Sequence, residues 1–228
     1  MKKDLVYLNY WKRKELLKAE LPKFLLLRWW SSKDICEVEK VILSNLKDRD
    51  TVLDVGAGDL RTKLKFEQAG YTGEYHTQDI GEEFTYTYRT IDEVKSQYAA
   101  ILCLDVIEHL QLSEGLELIH SLVNLLEPGG VVVIQTPNAR CVRNPLSWDI
   151  THLHCYNIYD LWAYLTSMGL RVEGYRVVFE PEHRSIWQQF MSFLSRYIIT
   201  RFLGVDYADN IVLIANKTTF NESLSRET

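Results

Sequence analysis

Residues 51–58 read Thr-Val-Leu-Asp-Val-Gly-Ala-Gly, an apolar run that ends through an acid in a Gly-x-Gly turn, and no other stretch constrains the fold as tightly. A strand apolar on both faces belongs inside a parallel sheet. Glycines just past its end adopt backbone angles closed to other residues and let a ligand reach the main chain. Alone, the pattern also describes an ordinary turn, so the rest of the chain has to decide between a bend and a cofactor site.

Around this strand the chain alternates. Leu, Lys, Glu and Trp at helical spacing over 5–47 predict two or three helices, so residues 1–48 read as an N-terminal helical extension. Strands are expected at 51–55, 74–79, 84–88 (from the alternation of Phe84, Tyr86 and Tyr88), 99–104, 131–134, 170–179 and 210–215. Helices are expected at 61–69, from Ser113 to Pro128, up to Met168 and near 185–203. Strands alternating with helices through short turns give an α/β fold, doubly wound, with a mostly parallel seven-stranded sheet and helices on both faces. Residues 49–217 then form one domain, with an aromatic helix inserted near 184–204, and 218–228 form a flexible tail.

Bulk properties remove several functions. With 26 basic against 31 acidic residues and a pI near 5.7, the chain offers no broad cationic face, and no nucleic acid is expected. Cys36, Cys103, Cys141 and Cys155 lack metal-knuckle spacing and suit a reducing cytoplasm. No signal-like stretch and no run of roughly 18 apolar residues is found, so a cytoplasmic chain without a transmembrane segment is expected.

A dinucleotide turn wants a third glycine three positions after the second, and residue 61 is Arg. A long cationic side chain there blocks close helix-to-strand packing, which disfavours NAD. Asp79 ends the second strand about 20 residues past the turn, where an acid accepts hydrogen bonds from ribose hydroxyls. NAD and adenosyl cofactors share that need.

Val-Leu-Asp-Val-Gly-Ala-Gly at 52–58, Gln-Asp-Ile at 78–80, Leu-Asp-Val-Ile-Glu-His-Leu at 104–110 and Leu-Glu-Pro-Gly-Gly with Val-Val-Val-Ile-Gln-Thr-Pro-Asn at 126–138 follow in order. In this arrangement the chain, over about 50–217, resembles the class I S-adenosylmethionine-dependent methyltransferases. The resemblance implies a Rossmann-like methyltransferase fold and S-adenosyl-L-methionine as cofactor. It implies that Asp54, Gly56 and Gly58 cradle the methionine part, that Asp79 holds the ribose and that Ile80 lies against the adenine. Ile91 and Asp92 would contact the adenine ring and its amino group, and Asp105 and Val106 would pass the methionine end. Leu60 departs from the small residue usual there, and Arg61 is placed to pair with the cofactor carboxylate. Glu108 and His109 read first as a helix-start acid and a packed histidine, in a structural or cofactor-shell role.

For the acceptor side, Trp148-Asp149-Ile150-Thr151-His152-Leu153-His154-Cys155-Tyr156 follows the fifth strand. His152 and His154 alternate, so in an extended segment they point the same way, with Asp149 to orient one of them as a base. The alternative is that the histidines only bond loop backbone. A metal reading of Asp149, His152 and His154 stays incomplete at three ligands, and no metal is expected. The Asp-x-Thr-His-x-x-x-Tyr pattern resembles a methyltransferase subgroup linked to glycan, lipid-linked or secondary-metabolite acceptors.

The helix near 185–203 carries Ile186, Trp187, Phe190, Phe193, Leu194, Tyr197, Ile198, Phe202 and Leu203 with Arg184, Arg196 and Arg201. Sheet packing, a homodimer face, or a lid over a greasy acceptor or a peripheral membrane contact all account for it. Tyr10, Trp11, Trp29 and Trp30 are candidates to close over the cofactor, with core packing the default. The expected function is methylation of oxygen, less readily nitrogen, on a small-molecule, glycan or lipid-linked acceptor. The rival is a cofactor-binding module without catalysis, for which Leu60 and the apolar late helix speak.

Overall fold

The computed structural model describes residues 5–29, 34–180 and 185–218. In chain order these form α1 (Tyr10–Lys18), β1 (Leu25–Trp29), α2 (Glu37–Leu46), β2 (Thr51–Val55), α3 (Arg61–Gln68), β3 (Glu74–Gln78), β4 (Tyr98–Leu104), α4 (Leu112–Asn124), β5 (Leu126–Pro137), α5 (Ile158–Ser167), β6 (Leu170–Phe179), α6 (Ile186–Leu203) and β7 (Asn210–Lys217). The strands form one seven-stranded sheet in the order β1-β6-β7-β5-β4-β2-β3, parallel except for β7.

The two-residue period of a strand divides the core. Along β4, Ile101 and Cys103 join Leu53, Val132 and the apolar faces of α4 and α5. The alternate residues Ala100 and Leu102 join Val52, Val131 and Val133 under Val38, Ile42 and Leu46 of α2 and Phe66 of α3. Both faces are covered, which is why the central strands read as unbroken apolar runs.

Two edges differ from the expectation. The N-terminal segment is not wholly helical: β1 lies parallel to β6, with Leu25 opposite Tyr175 and Trp29 opposite Phe179. At the opposite edge no strand forms at 84–88. Tyr88 makes one isolated bridge to Gln78, and the Thr77 and Thr87 hydroxyls each accept the other's backbone N–H, at 3.2 and 3.1 Å, where another ladder rung would otherwise lie. The count of seven strands therefore holds with a different membership.

The late helix is present as α6, capped by Ser185 and ended by Gly204 at φ 64°. Trp187, Phe190, Met191, Leu194, Tyr197, Ile198 and Phe202 remain exposed on it, so packing on the sheet does not account for these seven. Trp30, Arg184 and residues 219–228 of the expected tail lie outside the described residues. No helix among the described residues is long and apolar enough to cross a membrane.

Candidate active site

The C-terminal ends of β2, β4 and β5 open into a cavity of about 330 Å³. Its wall includes Asp54, Gly56, Gly58, Arg61 and Asp105 of the expected set and Trp29 of the aromatics considered for closing over the cofactor, together with Glu39, Lys65, Gln135 and Phe179, which were not expected there. Gly56 sits at φ 72°, and a Cβ on it would overlap the Val106 Cγ2 methyl, so both backbone angle and space require glycine. Gly58, at φ 50°, has the opposite surroundings: a Cβ there would meet nothing nearer than the Gly56 carbonyl at 4.0 Å. The first glycine lets Val106 close against the turn, and the second leaves open space beside the main chain.

Asp79 ties this turn together without lining the cavity. Its Oδ2 accepts from the Gly58 N–H at 2.9 Å and its Oδ1 from the Gly81 N–H at 2.7 Å. A carboxylate has about four acceptor positions, so each oxygen keeps one for a further hydroxyl. Ile80 follows, 79% exposed, and Ile91 and Asp92 start a short 3-10 turn, with Ile91 packed against the core and Asp92 exposed. Leu60 adopts the left-handed conformation at φ 61° as the N-cap of α3 and is not part of the cavity wall, so it does not narrow the opening. Arg61 borders the cavity, and its guanidinium pairs with no carboxylate among the described residues.

The protein raises the pKa of two acids at this edge, buried Asp54 and exposed Asp105. Asp54 accepts from the Tyr75 hydroxyl at 2.8 Å, and its burial, against that bond, raises its pKa to about 7. Asp105 occupies a left-handed position at φ 55°, tolerated by Asp more readily than by most side chains. It accepts from Gln135 Nε2 at 2.6 Å and Asn210 Nδ2 at 3.0 Å. Its carboxyl opens toward the cavity, yet the protein packed around it raises its pKa, while Gln135, His109, His152 and Asn210 act in the opposite direction.

The acceptor-side loop docks on Glu108, whose carbonyl accepts from the Leu153 N–H at 2.7 Å and the His154 N–H at 3.1 Å. The expected alignment of His152 with His154 does not form. The His152 ring lies 4.9 Å from that of His109, and its Nδ1 bonds the Pro145 carbonyl at 2.8 Å. His154 instead stacks edge-on against Tyr156 and lines a second cavity of about 420 Å³ between α1, α4 and α5, where burial lowers its pKa. A β-strand's alternation failed because the loop turns through Asp149, whose Oδ1 accepts from both the N–H and the hydroxyl of Thr151. Asp149 therefore supports neither expected histidine directly. Through Thr151, at 2.8 Å from His109 Nδ1, it reaches His109. Glu108 is the helix-start acid expected there, in the short 3-10 turn Ile107–His109, but it is fully buried: it accepts from the Thr136 hydroxyl at 3.0 Å, and burial with Asp105 nearby raises its pKa to about 8. Glu108 and His109 carried a legible signal in their Glu-His pairing, whereas Thr151, Pro145 and Gln135 act through contacts that no local spacing encodes.

Residues 29–190 match the family described as a methyltransferase domain. The chain belongs to that family. A ubiquinone biosynthesis O-methyltransferase from Rickettsia canadensis is 24% identical over 132 residues, which cover 51% of this chain and 55% of that protein. The chain thus spans about half the length of this curated relative. Among solved structures, a SAM-dependent methyltransferase from Archaeoglobus fulgidus shares the fold at TM-score 0.55 and 17% identity, over 78% of this chain and 94% of its own. Magnesium protoporphyrin IX methyltransferase from Synechocystis PCC 6803, solved with bound SAM, does so at TM-score 0.52 and 14% identity, over 79% and 78%. In family and fold the chain is a class I S-adenosylmethionine-dependent methyltransferase.

Proposed function

We propose that this methyltransferase transfers a methyl group from S-adenosylmethionine to an oxygen of a small-molecule, glycan or lipid-linked acceptor held beside His109 and His152. The observation that carries this reading is the adjacency of two unlike surfaces at one sheet edge: an open glycine turn backed by Asp79 and Arg61, and a histidine pair within electrostatic reach of Asp105.

The residues fit the cofactor. The open side of Gly58 admits its chain against the backbone, Arg61 is available for its carboxylate, and the remaining lone pairs of Asp79 suit the two ribose hydroxyls. Ile80 offers an apolar surface for the adenine, and Ile91 and Asp92 its outer contacts. When bound, S-adenosylmethionine supplies an electrophilic methyl on a sulfonium.

What the chain adds is orientation and activation of the acceptor. Methyl transfer needs in-line approach, so fixing the acceptor supplies much of the rate. A hydroxyl is also a weak nucleophile until its proton is withdrawn. The carbonyl of Pro145 only accepts, so His152 Nδ1 carries the proton and Nε2 presents a lone pair. His152 is the residue we assign to the acceptor oxygen, and Asp149 is a positioning residue that acts through Thr151 on His109. The name of the Rickettsia relative, an O-methyltransferase, favours oxygen over nitrogen.

Transfer of labelled methyl groups to hydroxylated small molecules and glycans tests the reading. In His152→Ala turnover falls by about 10² while S-adenosylhomocysteine affinity stays, as expected for loss of an activating group. Equal turnover in wild type and variant would reduce the loop to a scaffold.

A further inference from the structure

Three side chains converge beyond β4 for which the reading above uses only part of the chemistry. One ligand atom each from Glu108, His109 and His152 lie within 4.8 Å of one another. Their hydrogen bonds determine which atoms are free to bind. Thr151 donates its hydroxyl proton to Asp149 Oδ1, at 2.7 Å, so toward His109 Nδ1, at 2.8 Å, its oxygen can only accept. His109 Nδ1 therefore carries the proton. His152 Nδ1 donates to the Pro145 carbonyl by the same logic. Both imidazoles are left with an unprotonated Nε2, each held by an acceptor behind it. Carboxylate or carbonyl support of the far ring nitrogen is the arrangement that orients metal-bound histidines.

The third member adds an independent observation. Glu108 has no exposed surface, and its Oε1 is a buried oxygen with no hydrogen-bond partner, although Oε2 is satisfied by Thr136. A buried polar atom without a partner is costly, and native interiors avoid it unless a ligand or ion completes the site. Asp105, which accepts from Gln135 and Asn210, is not one of the three.

We infer that Glu108, His109 and His152 bind one divalent transition-metal ion through a Glu108 oxygen and the two Nε2 atoms, leaving a coordination position open. Two imidazoles and one carboxylate suit zinc, cobalt or iron, whereas magnesium prefers oxygen ligands and keeps several waters. With bonds of roughly 2.0–2.2 Å, neighbouring ligands on a tetrahedral ion stand about 3.3–3.6 Å apart, so the ion draws the exposed loop inward around buried Glu108. This set shares only His152 with the Asp149, His152 and His154 trio considered from sequence. The ion's use rests on the reading of this loop as the acceptor side: with its Nε2 on the ion, His152 would act through the metal instead of taking the proton itself, and an acceptor oxygen in the open position would lose its proton to solvent more readily. Its binding does not rest on that reading.

The test uses the full chain without a histidine tag, stripped by chelator and titrated with Co²⁺ under visible absorption and with Zn²⁺ by calorimetry. Wild type is expected to take up one ion per chain with ligand-field bands in the visible. His109→Asn and His152→Asn each lose more than tenfold in affinity, Asp149→Asn loses about 10-fold to 100-fold through the support it provides, and His154→Asn binds as wild type does. Glu108→Gln also loses the ion, and because this buried change risks the fold, the loop variant His152→Asn carries the test. Absence of the bands, binding that survives His109→Asn/His152→Asn together, or tight binding of Mg²⁺ without Co²⁺ would overturn the proposal. S-adenosylhomocysteine titrated into the same stripped chain separates the two readings: it binds if the methyltransferase reading holds, whether or not a metal does.

Discussion

The turn at 56–58 and the loop at 145–154 flank one sheet edge but are built in opposite ways. The turn is local: β2, Gly56, Gly58 and the backing Asp79 lie within 29 residues, and main-chain geometry does most of the positioning. The loop is assembled. His109 follows β4, His152 lies 43 positions later, and the two meet because Leu153 and His154 hang their amides on the Glu108 carbonyl. A cofactor shared by many enzymes suits a fixed backbone cradle, and an acceptor that differs among them suits side chains on a loop.

The largest expected effect breaks the cradle. Gly56→Val forces a β-branched residue to φ 72° and into Val106, so S-adenosylhomocysteine binding is lost and stability falls by about 2 kcal/mol or more, read by calorimetry and thermal unfolding. His152→Ala comes next and sharpens the other side of the contrast: about 10² in turnover, with the cradle intact. Asp79→Ala should weaken S-adenosylhomocysteine by roughly 1–3 kcal/mol, since it removes both hydroxyl acceptors and the bond to Gly58. A normal affinity there would mean that the ribose lies elsewhere.

The cradle also carries a pH effect. Asp54 titrates near 7 in the folded chain against about 3.9 unfolded. A carboxyl raised on folding contributes its stability below the unfolded value and loses it as pH rises through the folded one. The ligand-free chain should therefore lose part of its stability between about pH 4 and 7.5, a component missing from Asp54→Asn and readable as a flatter plot of unfolding free energy against pH. A slope identical in both chains would show that burial in the surrounding protein does not hold Asp54 protonated against the Tyr75 bond. The smallest effect is expected from His154→Ala, which should leave cofactor affinity unchanged because this ring faces the α1–α5 cavity.

The same contrast explains what could be read without coordinates. β2, β4 and β5 were legible because burial on both faces leaves continuous apolar runs, and the turn because glycine has few substitutes at positive φ. β1 was not: Leu-Leu-Leu-Arg-Trp has good helix formers, and only pairing with β6 makes it a strand, with Pro22 the one local hint that the preceding helix stops. Phe84, Tyr86 and Tyr88 misled in the other direction. Their alternation is real, but the Tyr86 hydroxyl donates to the Gly58 carbonyl and Phe84 is 46% exposed, so the segment serves the turn instead of extending the sheet. His152 was found and its partner was not, because periodicity relates neighbours in sequence, and the partner His109 comes from another loop.

The division of labour between turn and loop is tested most directly by titrating S-adenosylhomocysteine into wild type, Asp79→Ala and His152→Ala under one set of conditions. Wild type and His152→Ala should give the same affinity, and Asp79→Ala one weaker by roughly 1–3 kcal/mol. No heat with wild type, or a loss in His152→Ala as large as that in Asp79→Ala, would contradict it.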